Sequence, residues 1–337
     1  MKILKIDPHP VPYSWAWSCE RALKQLGVDI SMFFYRDHYL QARIWRWAKA
    51  KLPWLLKMET RQMNRHLLAT AARQKPEIAF FSKGELGDAA TLQELKKIGC
   101  RLVNWISDDP FRYLSIEVMR EYDYFFVYDP YFLDPLAQKG VKKPLYLPLA
   151  CDEEVFKPVD LTREEKIKYG SDLCFIGTYD QARESLLAPL AKKYNLRIWG
   201  PGWKKHAVND NLKHCLRDGF YSPRDINKIY NASKICLNLH HAQTVWGVNM
   251  RAFEATASGC LLVTDNPKEL GALFDLGREV VVYQQEKDLP DLLDHYLSHD
   301  GERAAIAAAG QRKAHQEHTY LQRLKKILAV IKEQQNV

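Results

Sequence analysis

The densest set of residues able to do chemistry lies in Asn249-Met-Arg-Ala-Phe-Glu254-Ala-Thr-Ala-Ser-Gly259-Cys-Leu-Leu-Val-Thr-Asp265. The stretch reads as a short helix, a glycine, an apolar strand and a polar loop. Asn249, Arg251 and Glu254 open the helix, while Ala255, Ala257 and Gly259 keep its far end thin. Such an opening offers unpaired backbone N–H groups and the positive end of the helix dipole to an anion. Arg251 adds a cation for phosphate, and Glu254 adds acceptors for the hydroxyls of a sugar. The competing reading is an ordinary helix–strand unit with Glu254 in solvent.

A second candidate is Leu173-Cys-Phe-Ile-Gly177-Thr-Tyr-Asp-Gln-Ala-Arg183. Here a buried strand ends at Gly177, where the missing side chain lets a ligand approach the backbone. Arg183 falls in the first turns of the next helix, in reach of a diphosphate that a guanidinium can grip with two hydrogen bonds. A third turn, Trp199-Gly200-Pro-Gly202-Trp203, offers an indole at Trp203 that either stacks on a base or packs on the surface. Neither G-x-G-x-x-G nor G-x-x-x-x-G-K-[ST] occurs, which leaves dinucleotide oxidoreductases and P-loop NTPases without support.

Trp105-Ile-Ser-Asp108-Asp109-Pro110 places two carboxylates after a buried strand. One of them is able to serve as general base toward an acceptor hydroxyl, or to position it. The pair also resembles Mg²⁺ ligands, and Asp109-Pro110 equally fits a helix N-cap followed by its first residue. His240 and His241 end another strand run and point to opposite faces. A shared metal is therefore not expected there; His240 either touches the ligand or belongs to the loop. Among the 11 histidines only His295 and His299 have H-x-x-x-H spacing, H-E-x-x-H does not occur, and no zinc site is expected.

Strand runs separated by helices must position these residues. In the first half they are Ile3–Ile6, Val28–Tyr35, Glu77–Ser82, Arg101–Ser107, Tyr124–Tyr128 and Pro144–Leu149. In the second half they are Leu173–Ile176, Leu196–Trp199, Ile235–Leu239, Leu261–Thr264 and Val280–Tyr283. This alternation predicts parallel βαβ units in two Rossmann-like halves. A chain of 337 residues, 47% hydrophobic, suits two domains of ordinary size. Seven cysteines without C-x-x-C spacing argue for a reducing compartment rather than a disulfide framework. The N-terminus reads as a strand and not a signal peptide, and no apolar run reaches the roughly 20 residues that cross a bilayer.

Net charge is +8, and it is concentrated. Arg36, Arg43, Arg46, Lys49, Lys51, Lys57, Arg61 and Arg65 stand against only Asp37 and Glu59, so six of the eight net charges lie in one segment. With Trp45, Trp47 and Trp54 interspersed and Pro53 breaking the helix, segment 36–65 reads in one of three ways. It rests on anionic lipid, holds a polyanionic acceptor, or is a helix with solvated charges.

At Asn249–Asp265 and Phe175–Arg183 the chain resembles group 1 glycosyltransferases of the GT-B fold, most of all the CgeB-type, spore-maturation-like branch. The likeness extends to Trp105–Pro110, to Tyr122-Asp-Tyr-Phe-Phe-Val-Tyr-Asp129 and to Leu147-Pro-Leu-Ala-Cys-Asp152. It implies an α/β protein with two Rossmann-like domains and a central cleft. An N-terminal acceptor domain over 1–150 is rejoined by a C-terminal helix at about 318–337, and a donor domain spans 151–317. The implied function is transfer of a sugar from a nucleotide-sugar donor to a hydroxyl-bearing glycan, lipid-linked or protein acceptor. No metal or other cofactor is expected, and no nucleic-acid partner. The donor would be held by Gly177, Arg183, Trp203, His240, Asn249, Arg251, Phe253 and Glu254, with Asp108 and Asp109 at the chemistry. The expected location is cytoplasmic, extending to the inner face of the membrane. Where many group 1 enzymes have a second glutamate eight residues before the one matched by Glu254, this chain has Trp246. That departure leaves the retaining mechanism open. It also keeps two alternatives in view, an inactive nucleotide-sugar-binding protein and a nucleotide-sugar epimerase.

Overall fold

The computed structural model describes residues 1–8, 14–38, 52–84, 87–241 and 244–333. The chain divides into two units, Met1–Pro148 with Arg323–Val337, and Leu149–Gln322. Each is built on one six-stranded, all-parallel sheet. In the first unit the strands are β1 (Lys2–Asp7), β2 (Asp29–Phe34), β3 (Ile78–Ser82), β4 (Arg101–Ile106), β5 (Tyr124–Val127) and β6 (Pro144–Tyr146). In the second they are β7 (Ser171–Ile176), β8 (Leu196–Gly200), β9 (Leu216–Asp218), β10 (Ser233–Asn238), β11 (Leu261–Thr264) and β12 (Val281–Val282).

Runs such as Ile-Ala-Phe-Phe-Ser in β3 and Tyr-Phe-Phe-Val in β5 are buried at every position. Continuous apolar strands of this kind are what a parallel sheet covered on both faces requires. The first sheet runs β2-β1-β3-β4-β5-β6 and the second β12-β11-β10-β7-β8-β9. The order therefore reverses between β1 and β3 in one unit, and between β7 and β10 in the other. Ligands of open α/β sheets bind at the carboxyl ends of strands at such reversals. Gly177 follows β7 and His240 follows β10, so the second reversal carries the sequence candidates.

The ends of β7 and β8 approach closely. Gly200 has φ +137°, and a Cβ there would lie 2.3 Å from the carbonyl oxygen of Gly177. Only glycine fits this junction. The last helix, Tyr320–Glu333, buries Leu324, Ile327 and Ile331, and Arg323 donates from Nε to the Pro148 carbonyl at 2.9 Å. It thus forms part of the first unit.

The structure adds β9, which the sequence reading lacks, because Leu-Arg-Asp at a sheet edge is too short to show a period. Pro53 does not interrupt a helix but opens one, Pro53–Gln74, where a missing N–H costs nothing. Arg43, Trp45, Arg46, Trp47, Lys49 and Lys51 of the basic segment lie outside the described residues.

Candidate functional site

The chemistry of the second unit gathers where β7 and β10 diverge. Asn249 caps the helix Met250–Ala257, its side chain accepting from the Ala252 N–H at 3.2 Å. Its amide donates to Asn238 Oδ1 at 3.0 Å, and Arg251 donates to the same oxygen at 2.5 Å. Asn238, 1% exposed at the end of β10, donates in turn to Thr264 Oγ1 at 3.1 Å at the end of β11. One buried amide thereby ties the helix opening to two strand ends.

Arg183 approaches from the helix Gln181–Leu190. It donates to the carbonyls of Thr178 at 3.0 Å and Leu239 at 3.4 Å, spanning the reversal from β7 to β10. The guanidinium carbons of Arg183 and Arg251 lie 5.5 Å and 5.3 Å from the centre of the same Phe175 ring. Neither makes an ion pair with a carboxylate among the described residues. Burial, and then the neighbouring Arg251 charge, lower the pKa of Arg183 to about 10. Two cations held together in a largely desolvated place without an anion form a site that an anion completes. Gly177 makes room for it: a Cβ there would stand 2.9 Å from an Arg251 nitrogen and 3.2 Å from the Phe175 ring. Gly177→Ala is expected to displace the Arg251 guanidinium and weaken nucleoside diphosphate binding by roughly tenfold, about one charge-assisted hydrogen bond. Because the far end of a flexible side chain can yield, the melting temperature should stay near that of the wild type. Titration calorimetry paired with a thermal melt checks both halves of this expectation.

Glu254 sits half-buried on the same helix and makes no side-chain hydrogen bond among the described residues. Its enclosure by protein, only partly offset by Arg251, raises its pKa to about 7. Beside it on the β10 side, the His240 ring is 5% exposed, with Nδ1 2.5 Å from Asp265 Oδ1. Asp265 also accepts the His240 backbone N–H at 3.1 Å and the Thr264 hydroxyl at 3.0 Å. Burial acts to raise the Asp265 pKa, but its bonds with His240 outweigh that and hold it below the usual carboxylate range. His240 Nε2 is buried and has no hydrogen-bond partner among the described residues. Asp265 and Asn238 are absent from the sequence candidates, yet Asn238 ends β10 at the reversal and Asp265 follows the neighbouring β11, positions that would have marked them.

Two candidates are corrected. Trp203 is fully buried in the core of the second unit, with its indole N–H donating to the Gly177 carbonyl at 2.8 Å. Its ring meets Phe175 and Tyr179 edge-on and has no face free for a base. What it does is brace the Gly177 turn from beneath. Phe253 is likewise fully buried, between Phe274 and His318. It holds the helix Met250–Ala257 in place and touches no open site.

In the first unit, Asp109 is an N-cap, accepting from the Phe111 N–H at 3.0 Å ahead of Pro110. Asp108 remains open. It pairs with Lys83 at 3.3 Å and lines a cavity of 360 Å³ together with Asp7, Ser14, Trp15, Ser82 and Ser107. Asp7, which lines that cavity, belongs to a pair that sequence reading missed. Lys5, fully buried, donates to Asp7 Oδ2 at 2.6 Å and also to the Ser82 hydroxyl. A lysine and an aspartate two apart in a strand point to the same face, which was the available signal. Among the described residues no three His, Cys, Asp or Glu side chains are grouped to hold a metal ion.

Residues 182–329, which contain both arginines, Asn238, His240, Glu254 and Asp265, match the family model described as glycosyl transferase-like. No curated relative matches the sequence. Solved structures share the whole fold, which is GT-B, at low identity. Sucrose-phosphate synthase from Thermosynechococcus elongatus superposes with a TM-score of 0.70 at 11% identity, over 98% of each chain. A glycosyltransferase from Rickettsia africae gives 0.67 at 13%, again over 98% of each. HepE from Anabaena, solved with UDP and glucose, gives 0.65 at 13%, over 99% of this chain and 100% of its own.

Proposed function

We propose that the protein transfers a sugar from a nucleoside diphosphate sugar to a hydroxyl-bearing acceptor. The observation that carries this reading is the Arg183–Arg251 pair, two guanidiniums on one Phe175 ring without a carboxylate partner, at the strand reversal of a glycosyl transferase-like unit. A diphosphate supplies the missing charge, and the N-terminus of the helix Met250–Ala257 adds its dipole. Glu254, on the next face of that helix, accepts hydrogen bonds from ribose hydroxyls. HepE, of the same fold, is solved with UDP-glucose, and a UDP-sugar is the first donor to try. In this reading the arginines and the helix dipole stabilise the departing diphosphate, the part a divalent cation takes in other transferases.

The cavity of the first unit is assigned to the acceptor, with Asp108 as the group that receives its proton or orients its hydroxyl. Asp108, Lys83, Ser82 and Ser107 around it suit a polyhydroxylated molecule. No helix among the described residues is long and apolar enough to cross a membrane. Trp54, Leu56 and Met58 at the start of the helix Pro53–Gln74 are exposed beside Lys57 and Arg61, which favours an anionic membrane surface as a place where a lipid-linked acceptor is met.

A thermal-shift screen with UDP-, GDP-, TDP- and ADP-sugars tests the donor site. A ligand at 100 times its dissociation constant adds about 2.7 kcal/mol of stability, and the bound donor should then release its nucleoside diphosphate. No shift with any of the four overturns the reading. Affinity should also rise with pH through about 7, because only the ionised Glu254 accepts two ribose hydroxyls. The sign for the unliganded protein is opposite. A carboxyl whose folded pKa is raised favours the protonated state, so its stability contribution is lost as pH climbs through about 7. Isothermal titrations at pH 6 and pH 8 and apo melts at the same values separate the two trends.

A further inference from the structure

His240 and Asp265 form a unit that binding of a diphosphate sugar does not by itself explain. Asp265, held ionised, can only accept, so the imidazole must carry a hydrogen on Nδ1. The backbone N–H of His240 and the Thr264 hydroxyl clamp the same carboxylate, which fixes the ring orientation. Nε2 is then the one ring nitrogen left for chemistry, buried and without a partner among the described residues. His240 follows Leu239, whose carbonyl binds Arg183, so Nε2 belongs to the neighbourhood where the diphosphate is placed.

We propose that Asp265 positions His240 and that His240 Nε2 gives a proton to the phosphate oxygen that leaves the sugar. This rests on the donor-site reading above. The bond between the sugar's anomeric carbon and that oxygen breaks, and the acceptor oxygen bonds to the same carbon. The Nε2 proton goes to the departing diphosphate, the acceptor's proton passes to solvent or to a base, and the imidazole is reprotonated from solvent. No electrons are gained or lost. Asp265 is a positioning residue here.

Charged groups from several elements gather in this part of the second unit. Asp265 comes from the end of β11, Arg183 and Asp180 from the helix Gln181–Leu190 and its cap, and Arg251 and Glu254 from the helix Met250–Ala257. Tyr283, after β12, is electrostatically coupled to Asp265, as is Arg183. The Arg251 charge acts on Arg183 across this site. A bound diphosphate would add negative charge beside the two arginines.

The test uses the full chain, UDP, GDP, TDP and ADP as binding probes, and release of nucleoside diphosphate from the matching glucose donors as the rate. His240→Gln keeps a hydrogen-bond donor but has no proton to give. It is expected to bind the nucleoside diphosphate within about threefold of wild type. Its kcat should fall about 10²–10³-fold, the range of general acid catalysis, and it should lose the alkaline fall of the pH–rate profile. Asp265→Asn should move that fall to lower pH, since the imidazolium loses its counter-charge. A purely structural role would lower kcat equally at all pH values without moving the profile. Unchanged kcat in His240→Gln, or an alkaline limb that stays in place in both variants, overturns the proposal. Absence of nucleoside diphosphate binding by the wild type overturns the donor-site reading instead, and the two failures are distinguishable.

Discussion

Replacing Lys5 by methionine is expected to lower the unfolding free energy by about 3–5 kcal/mol. The ammonium is fully buried at the end of the first strand, 2.6 Å from Asp7 Oδ2 and 4.6 Å from the centre of the Phe80 ring. Asp7 is itself only 1% exposed. Methionine fills nearly the same volume, so packing is not the main loss. What changes is that a desolvated carboxylate is left with no opposite charge, and an uncompensated buried charge is among the few single changes that cost this much. A domain is stable by roughly 5–15 kcal/mol in total, so the variant should show a lower urea midpoint with an unchanged slope. The double variant Lys5→Met with Asp7→Leu removes both charges and should recover most of the loss, because contacting residues couple. A single variant within about 1 kcal/mol of wild type would mean that water already solvates the pair. Since Asp7 and Ser82 also line the first unit's cavity, the double variant should remain folded yet lose affinity for a polar acceptor.

The Lys5–Asp7 pair also shows where sequence reading stopped. The strands were readable because parallel sheets buried on both faces are written in unbroken apolar runs, as in Ile78–Ser82 and Tyr124–Val127. Lys5 and Asp7 interrupt such a run and look like a solvated face; only the pairing of β1 with β3, which brings Ser82 beside them, shows that they are enclosed. The candidate site of the second unit was half readable. Gly177, Arg183, Asn249, Arg251 and Glu254 meet because each stands at a strand end or helix opening at one reversal of the sheet. Trp203 and Phe253 belong to the same turns but face inward. Their local sequence carries no sign of direction, since an aromatic beside a glycine serves a ligand or a core equally well. Asn238 and Asp265 escaped notice for the opposite reason. Each is a single polar residue at the end of an apolar run, and its role comes wholly from partners far away in the chain, Arg251 and Asn249 for one and His240 for the other.

The arginine pair yields the second large effect. Arg251→Met is expected to weaken nucleoside diphosphate binding by about 10²-fold, which is about 2.7 kcal/mol and falls within what a charged hydrogen bond to phosphate contributes. Arg183→Met should lose a similar amount, and the double variant should bind no more tightly than a nucleoside without phosphates. The two substitutions differ in what they do to the unliganded protein. Arg183 donates to the carbonyls of Thr178 and Leu239 and so ties the end of β7 to the end of β10. Its loss removes a like-charge repulsion but also unties two strand ends, and the melting temperature should fall. Among the described residues Arg251 bonds only Asn238 Oδ1, which Asn249 also serves. Its loss leaves no acceptor stranded and relieves the charge that lowers the pKa of Arg183, so Arg251→Met should melt at or above the wild-type temperature while binding far more weakly. Stability and affinity moving in opposite directions is the signature of a residue kept for its ligand. If Arg251→Met instead lost stability and kept affinity, Arg251 would be a structural residue and the anion would have to sit elsewhere. Salt gives an independent check: the calorimetric affinity of the wild type should drop as ionic strength rises, and that of the double variant should not.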